Sequence, residues 1–112
     1  MWSYPSRRYK ENIRDLDNIS WIYDLRPVTF SFINDPLSKP LNGLIAEEVE
    51  KVEPGIVNYN TDGLPEGVTY SSLITPMLKA LQEQKELLEQ VRKENEMLRV
   101  EVESLKAIMG KK

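Results

Sequence analysis

The sequence predicts an α+β protein, in which a small lobe of mixed helices and strands precedes a long C-terminal helix that associates with copies of itself. Residues 13–70 alternate between helical and strand-like apolar spacing, whereas residues 71–109 keep an unbroken heptad repeat. If the final residues form a helix, only about seventy remain for a globular core. A core of that size buries too little apolar surface to be comfortably stable alone, so oligomerisation is expected on energetic grounds.

Residues 1–12 are predicted to be an extended arm, polar and aromatic in character, with a basic cluster of Arg7, Arg8 and Lys10. Apolar residues at three- and four-residue spacing then predict a short amphipathic helix. These residues are Leu16, Ile19, Ile22, Tyr23 and Leu25. Pro27 ends this helix, because the residue before a proline is pushed out of the α region.

The rest of the lobe, up to residue 70, reads as short elements separated by turns. Residues 28–32 alternate apolar and polar side chains, the pattern of a half-buried strand. Residues 34–42 contain two prolines and are predicted to be a surface loop. Residues 43–54 pass into a second helix, and Asp62-Gly63 predicts a hairpin turn between two further strands.

Two groups of lobe residues invite a functional interpretation. Glu47 and Glu48 are adjacent on a helix and therefore point in different directions, so a solvated face with one structural salt bridge, to Arg8 or Lys10, is expected instead of an acid-base pair. Aromatic side chains at helical and strand spacing are expected in the core and not on a ligand platform. They are Trp21, Tyr23, Phe30 and Phe32.

The C-terminal segment, residues 71–109, is predicted to be one coiled-coil helix. Ser71 or Ser72 is expected at the N-cap, and Pro76 falls in about the first turn, where a missing N–H costs least. Nine of the eleven a and d residues are apolar, which is sufficient for a coiled coil. The a positions are Ile74, Leu81, Leu88, Asn95, Val102 and Met109, and the d positions are Met77, Gln84, Val91, Leu98 and Leu105.

Charges beside this heptad strip favour identical chains that run parallel and in register. In such a coil Glu94 faces Arg99 of the neighbouring chain, and Glu101 faces Lys106. Each exposed pair is worth only about 0.3 kcal/mol, so its main effect is on orientation. Asn95 is expected to fix the register, as single a-position asparagines do. The heptads by themselves leave two and three strands equally open.

Composition excludes several classes of function. The net charge of −3 and the pI near 5.1 give no attraction to nucleic acid or to an anionic membrane surface. The absence of Cys and His removes disulfides, thiol nucleophiles and the usual zinc sites, so no metal or cofactor is expected. No apolar run approaches the ~20 residues that span a bilayer, and a soluble protein is expected.

Four blocks occur in a familiar order and spacing: SRRYKENI, LRPVTFSF, GLIAEEVEKVEPGIV and VTYSSLITPMLKALQEQ. Together they resemble the C-terminal intramolecular chaperone and auto-processing domain of phage tailspikes, tail fibres and endosialidases, which also occurs in myelin regulatory factor. The resemblance covers about residues 5–90. It implies a parallel homotrimeric coiled coil that registers the upstream fibre or tailspike domain of the same polypeptide. It also implies a viral fibre precursor in the host cytoplasm, or a virion tail if the module stays attached.

Many members of that family then cut themselves with a Ser-Lys dyad in the motif S-D-x-R-x-K. Alignment on Arg8 makes Lys10 the candidate base and places Pro5, which has no hydroxyl, at the nucleophile position. Ser6 remains as a substitute nucleophile, and Ser3, further upstream, is a second one. The resemblance therefore implies a chaperone, with an active self-cleaving serine peptidase as the alternative. A stand-alone coiled-coil adaptor is a third interpretation.

Overall fold

The computed structural model describes residues 3–110, which form a lobe of short elements continued by one long helix. Its strands and helices are β1 (Val28–Phe30), β2 (Leu41–Gly43), α1 (Ala46–Val52), β3 (Val57–Tyr59), β4 (Pro65–Val68) and α2 (Ile74–Met109). Short 3-10 turns lie at Arg7–Tyr9, Ser20–Asp24, Pro54–Ile56 and Tyr70–Leu73. The molecule measures 80 × 47 × 24 Å. An α+β lobe followed by a long C-terminal helix is therefore confirmed for the single chain.

The described strands form two antiparallel pairs, β1 with β2 and β3 with β4. The predicted hairpin turn lies between β3 and β4, where Gly63 has a φ of +77°, a conformation that glycine adopts without strain. The Oδ1 atom of Asn60 accepts bonds from the N–H groups of Asp62 and Leu64, at 2.9 and 3.0 Å, and so closes this turn. The first pair was not predicted, because residues 41–43 read as the end of a loop.

The lobe core is small. Its buried cluster consists of Val49, Ile56, Val57 and Leu73. Half-buried apolar residues surround this cluster: Trp21, Ile22, Leu25, Leu44 and Val68. Leu73 comes from the 3-10 turn that leads into α2, so the core of the lobe and the root of the long helix are one packing unit.

The helix predicted from the apolar spacing of residues 16–25 is wrong over most of its length. Residues 13–19 are irregular, and only Ser20–Asp24 forms a 3-10 turn. Asn18 has a φ of +53°, in the left-handed region, which interrupts any helical path. Ile19 is nevertheless buried. The apolar spacing therefore predicted the burial of this residue correctly, although it did not predict the backbone conformation.

The expectation of a core position is wrong for two of the four aromatic residues. Phe32 packs edge-to-face against Phe30, with ring centroids 5.3 Å apart, yet it is 60% exposed because β1 ends at Phe30. Tyr23 is 53% exposed beside the long helix. Trp21 and Phe30 are half-buried.

The start of α2 also differs from the prediction. Ser71 and Ser72 lie in the Tyr70–Leu73 turn, and Leu73 occupies the N-cap position without a side-chain capping bond. The N–H of Ile74 donates to the carbonyl of Ser71, so the backbone of the turn takes the place of a serine cap. Pro76 lies in the first turn, as predicted, and is buried.

Candidate functional site

The a and d residues of α2, which we call the seam, are exposed along the helix. Its nine apolar members are between 41% and 81% exposed in the single chain. They are Ile74, Met77, Leu81, Leu88, Val91, Leu98, Val102, Leu105 and Met109. A helix of 36 residues is about 54 Å long, and contiguous apolar patches of that extent are typical of interaction surfaces.

Polar residues of the seam and its charged flanks are exposed as well. Asn95 and all four residues of the expected ion pairs, Glu94, Arg99, Glu101 and Lys106, face solvent. Glu94 accepts a 3.5 Å bond from the amide of Gln90 on the same helix. The interchain pairs remain predictions, since they join two chains.

The lobe covers one side of the first turns of α2 and leaves the seam side open. Leu73, Pro76 and Ala80 share the covered face and are buried, whereas Ile74 and Leu81 are exposed. This separation follows from helical geometry, because residues three and four apart stack on one face. The structure therefore leaves the apolar residues of the seam exposed to another chain, while the lobe stays attached to its own helix.

Gln84, the second polar residue of the seam, contacts the lobe directly. Its Nε2 donates to the Tyr23 hydroxyl over 3.3 Å. The two residues are 61 positions apart, and no spacing pattern relates them. Sequence reasoning missed this contact; the only signal was a polar residue at a d position.

The N-terminal arm is not extended throughout, contrary to the prediction, because the Arg7–Tyr9 turn folds it and brings Lys10 to Pro5. Residues 1 and 2 of the predicted arm lie outside the described residues. The Lys10 ammonium donates to the Pro5 carbonyl over 3.1 Å, so the candidate base lies beside the nucleophile position that the motif alignment gave. The hydroxyl of Ser6 points elsewhere, since it accepts from the N–H of Arg8 at 3.4 Å and caps the Arg7–Tyr9 turn. The arm thus places the two dyad positions together and holds Ser6 in a capping role.

Glu48 has a different partner from the one predicted. The Glu47-Glu48 pair makes a salt bridge, as predicted, but the predicted partner, Arg8 or Lys10, is wrong: both oxygens of Glu48 accept from Arg26, at 2.9 and 2.6 Å. Hydrogen bonding from Arg26 lowers the pKa of Glu48, and hydrogen bonding to Glu48 raises the pKa of Arg26. This two-bond pair fastens the segment before β1 to helix α1.

The described residues, 3–110, contain no group of three His, Cys, Asp or Glu side chains placed to hold a metal ion. In the same range, no helix is both long and apolar enough to cross a membrane.

Together these features define a class of protein. A small lobe carries a folded basic arm at its N-terminal end and a long helix whose apolar seam is exposed and available to other chains. Residues 5–58 match the family model described as chaperone of endosialidase, which is named as a peptidase family. The resemblance drawn from the sequence is confirmed, and this segment belongs to that family. No curated protein matches the chain. The matched segment contains Ser6 and Lys10 and ends in β3, so the seam lies outside it.

Proposed function

We propose that this chain is a C-terminal intramolecular chaperone, which trimerises the chains of a viral or bacterial fibre or tailspike and sets their register during folding. One observation carries the proposal: a lobe of the chaperone-of-endosialidase family is joined to a helix whose entire apolar seam is exposed. A chaperone role is established at family level by the match. The trimer and the fibre are the proposed parts.

Association through the seam supplies a physical mechanism for chaperoning. Once the helices associate, the segments upstream of each lobe are held at high effective concentration, and the entropy of bringing chains together is no longer a cost to their folding. A parallel, in-register coil presents the three upstream segments at the same height. Strands that must pair between chains then start in the correct register.

The number three rests on the family resemblance, and the width of the apolar strip is compatible with it. Leu81 and Leu88 at a positions depart from the β-branched a residues that favour two-stranded coils. Leu78, Leu87 and Ile108 beside the seam are also apolar and exposed, which widens the strip beyond a narrow a/d seam. A wider strip buries more completely against two neighbours than against one.

A matched pair of substitutions tests assembly through the seam. Leu98 and Met97 are adjacent on α2 and similarly exposed, at 56% and 65%, but only Leu98 belongs to the seam. We expect the chain and its Met97→Asp variant to sediment at three times 13.0 kDa, and the Leu98→Asp variant to dissociate. A wild-type mass of one chain would overturn the assembly, and a mass of two chains would overturn the number three.

The self-cleaving peptidase is the second candidate, favoured by the bond from Lys10 to the Pro5 carbonyl. The chain produced with its natural upstream segment separates the two functions by mass spectrometry under denaturing conditions. We expect it to stay uncut, because Pro5 has no hydroxyl and Ser6 caps the Arg7–Tyr9 turn. A cut next to Ser3, Pro5 or Ser6 that disappears in the Lys10→Ala variant would establish the peptidase instead.

A further inference from the structure

The lobe borders the exposed side of α2 along two edges. On one edge, Asp15 and Leu16 line a shallow groove together with Leu78 and other residues of the helix. On the other, residues of the Ser20–Asp24 turn and of α2 line a mainly apolar cleft of about 210 Å³, which we call the Tyr23 cleft. Its lining residues are Ile22, Tyr23, Met77, Ala80, Leu81 and Gln84.

Leu78 breaks the charge pattern of the helix. Every later e position is basic, namely Lys85, Arg92, Arg99 and Lys106, whereas Leu78 is apolar and 52% exposed. In a parallel, in-register coil the e residue of one chain faces the preceding g residue of its neighbour, the relation that pairs Arg99 with Glu94. The same relation places Leu78 opposite residue 73 of the neighbouring chain.

Leu78 cannot pack directly against residue 73 of the neighbouring chain. Leu73 is buried in the lobe core, and the next g residue, Ala80, is buried as well. The surface over this side of the helix is formed by the Ser20–Asp24 turn, which contacts α2 there. A leucine that approaches from a neighbouring chain therefore meets Ile22 and Tyr23 of the turn, together with the α2 side chains that line the same cleft.

We propose that Leu78 of one copy packs into the Tyr23 cleft of the neighbouring copy, so that each lobe is completed by the next chain around the trimer. The inference rests on the proposed function, since it requires a parallel coil of identical chains. The second copy is the occupant because the charges are self-complementary in that register: Glu94 with Arg99, and Glu101 with Lys106. Those pairs hold the two chains at equal height, and so bring Leu78 level with the cleft.

The cleft is suited to this occupant in size and chemistry. The Tyr23 cleft is open on its solvent side, and its volume of about 210 Å³ exceeds the roughly 150 Å³ of an enclosed cavity that holds benzene, so a leucine side chain can enter it from outside. The bond from Gln84 to Tyr23 satisfies polar groups at the edge of the cleft. Burial of Leu78 also adds apolar contacts to a lobe whose own core is small. Lobe folding is then coupled to assembly.

Cysteine trapping tests the contact, because the chain has no cysteine of its own. A Leu78→Cys chain is co-expressed with a Tyr23→Cys chain of different mass and oxidised. We expect a disulfide-linked pair that contains one chain of each kind. A Met97→Cys chain replaces the Leu78→Cys chain as the control and is expected to give no link to Tyr23→Cys, since Met97 lies outside the seam.

A thermodynamic cycle covers the case in which a good contact has poor disulfide geometry. Leu78→Ala and Tyr23→Ala are each expected to weaken assembly by about tenfold, and the double variant to weaken it by much less than the product. Additive effects, together with an absent link, would overturn the contact. An Asn95→Cys chain tests the coiled coil separately, because residue 95 of one chain faces residue 95 of the next in a parallel coil. If Asn95→Cys chains form disulfides with each other while Leu78→Cys and Tyr23→Cys chains do not, the coiled coil is supported and the cleft contact is overturned. If the wild-type chain sediments as a single chain, both proposals fall.

Discussion

Truncation of Val49 is expected to destabilise the lobe selectively. Val49 is 1% exposed, the most deeply buried side chain of the lobe cluster. Val49→Ala removes two methyl groups at about 0.8 kcal/mol each, and the cavity left behind raises the loss to roughly 2–3 kcal/mol. Because a lobe of this size is stabilised by only about 3–5 kcal/mol, the substitution removes about half of its stability.

The measurement uses Trp21, which packs against the Val49 cluster. In a Trp2→Phe background, Trp21 fluorescence reports the lobe during a urea titration, and far-UV circular dichroism reports mainly the long helix. At an m-value of about 1.5 kcal/mol/M, we expect the Trp21 midpoint to fall by roughly 1.5–2 M. All variants are compared at one protein concentration, because association shifts apparent stability.

Val100→Ala is the matched control, since it makes the same chemical change at an exposed position of α2. It is expected to change the free energy of unfolding, as reported by Trp21, by no more than about 0.5 kcal/mol. If Val49→Ala and Val100→Ala shift the midpoint equally, the lobe is not held together by the Val49 cluster. The stability argument would then be refuted.

Two smaller predictions concern polar contacts of the lobe. Tyr70→Phe removes the acceptor for the Leu44 N–H, which lies 3.0 Å from the Tyr70 hydroxyl, and is expected to cost about 1 kcal/mol in the same titration; an unchanged midpoint would contradict it. The hydrogen bond from Arg26 lowers the pKa of Glu48 below its ordinary value of 4.5. The Arg26–Glu48 pair therefore stabilises the lobe fully above pH 4.5, and this stabilisation is lost as the pH falls through the lowered pKa. Glu48→Gln is therefore expected to flatten the acid limb of the stability profile, whereas Glu47→Gln, whose side chain is exposed, leaves the limb unchanged.

The extent of the family match divides the chain into two functional parts. The matched segment, residues 5–58, carries the arm and most of the lobe, whereas α2 lies beyond it. Leu73 joins the parts, because it packs into the lobe core one residue before the helix begins. In the proposed assembly, association through the seam would therefore act on the lobe through Leu73.

Features set by neighbouring residues could be predicted from the sequence alone. The heptads gave the long helix and its exposed seam, and the apolar spacing before Pro54 gave helix α1, because helical periodicity places its own side chains on one face. Asp62-Gly63 gave the turn between β3 and β4, since a glycine with positive φ relieves the strain there. These predictions required no knowledge of the rest of the chain.

Contacts between distant residues were decided only by the tertiary structure. The Arg26–Glu48 pair, the bond between Tyr23 and Gln84, and the pairing of β1 with β2 each join segments whose approach depends on the path of the whole chain. The helix around Ile19 was wrongly predicted. The apolar spacing correctly indicated that Ile19 is buried, but the left-handed conformation of Asn18 interrupts the helical backbone. Periodicity indicates which side chains could be buried, whereas the packing of distant segments decides which of them are buried and what covers them.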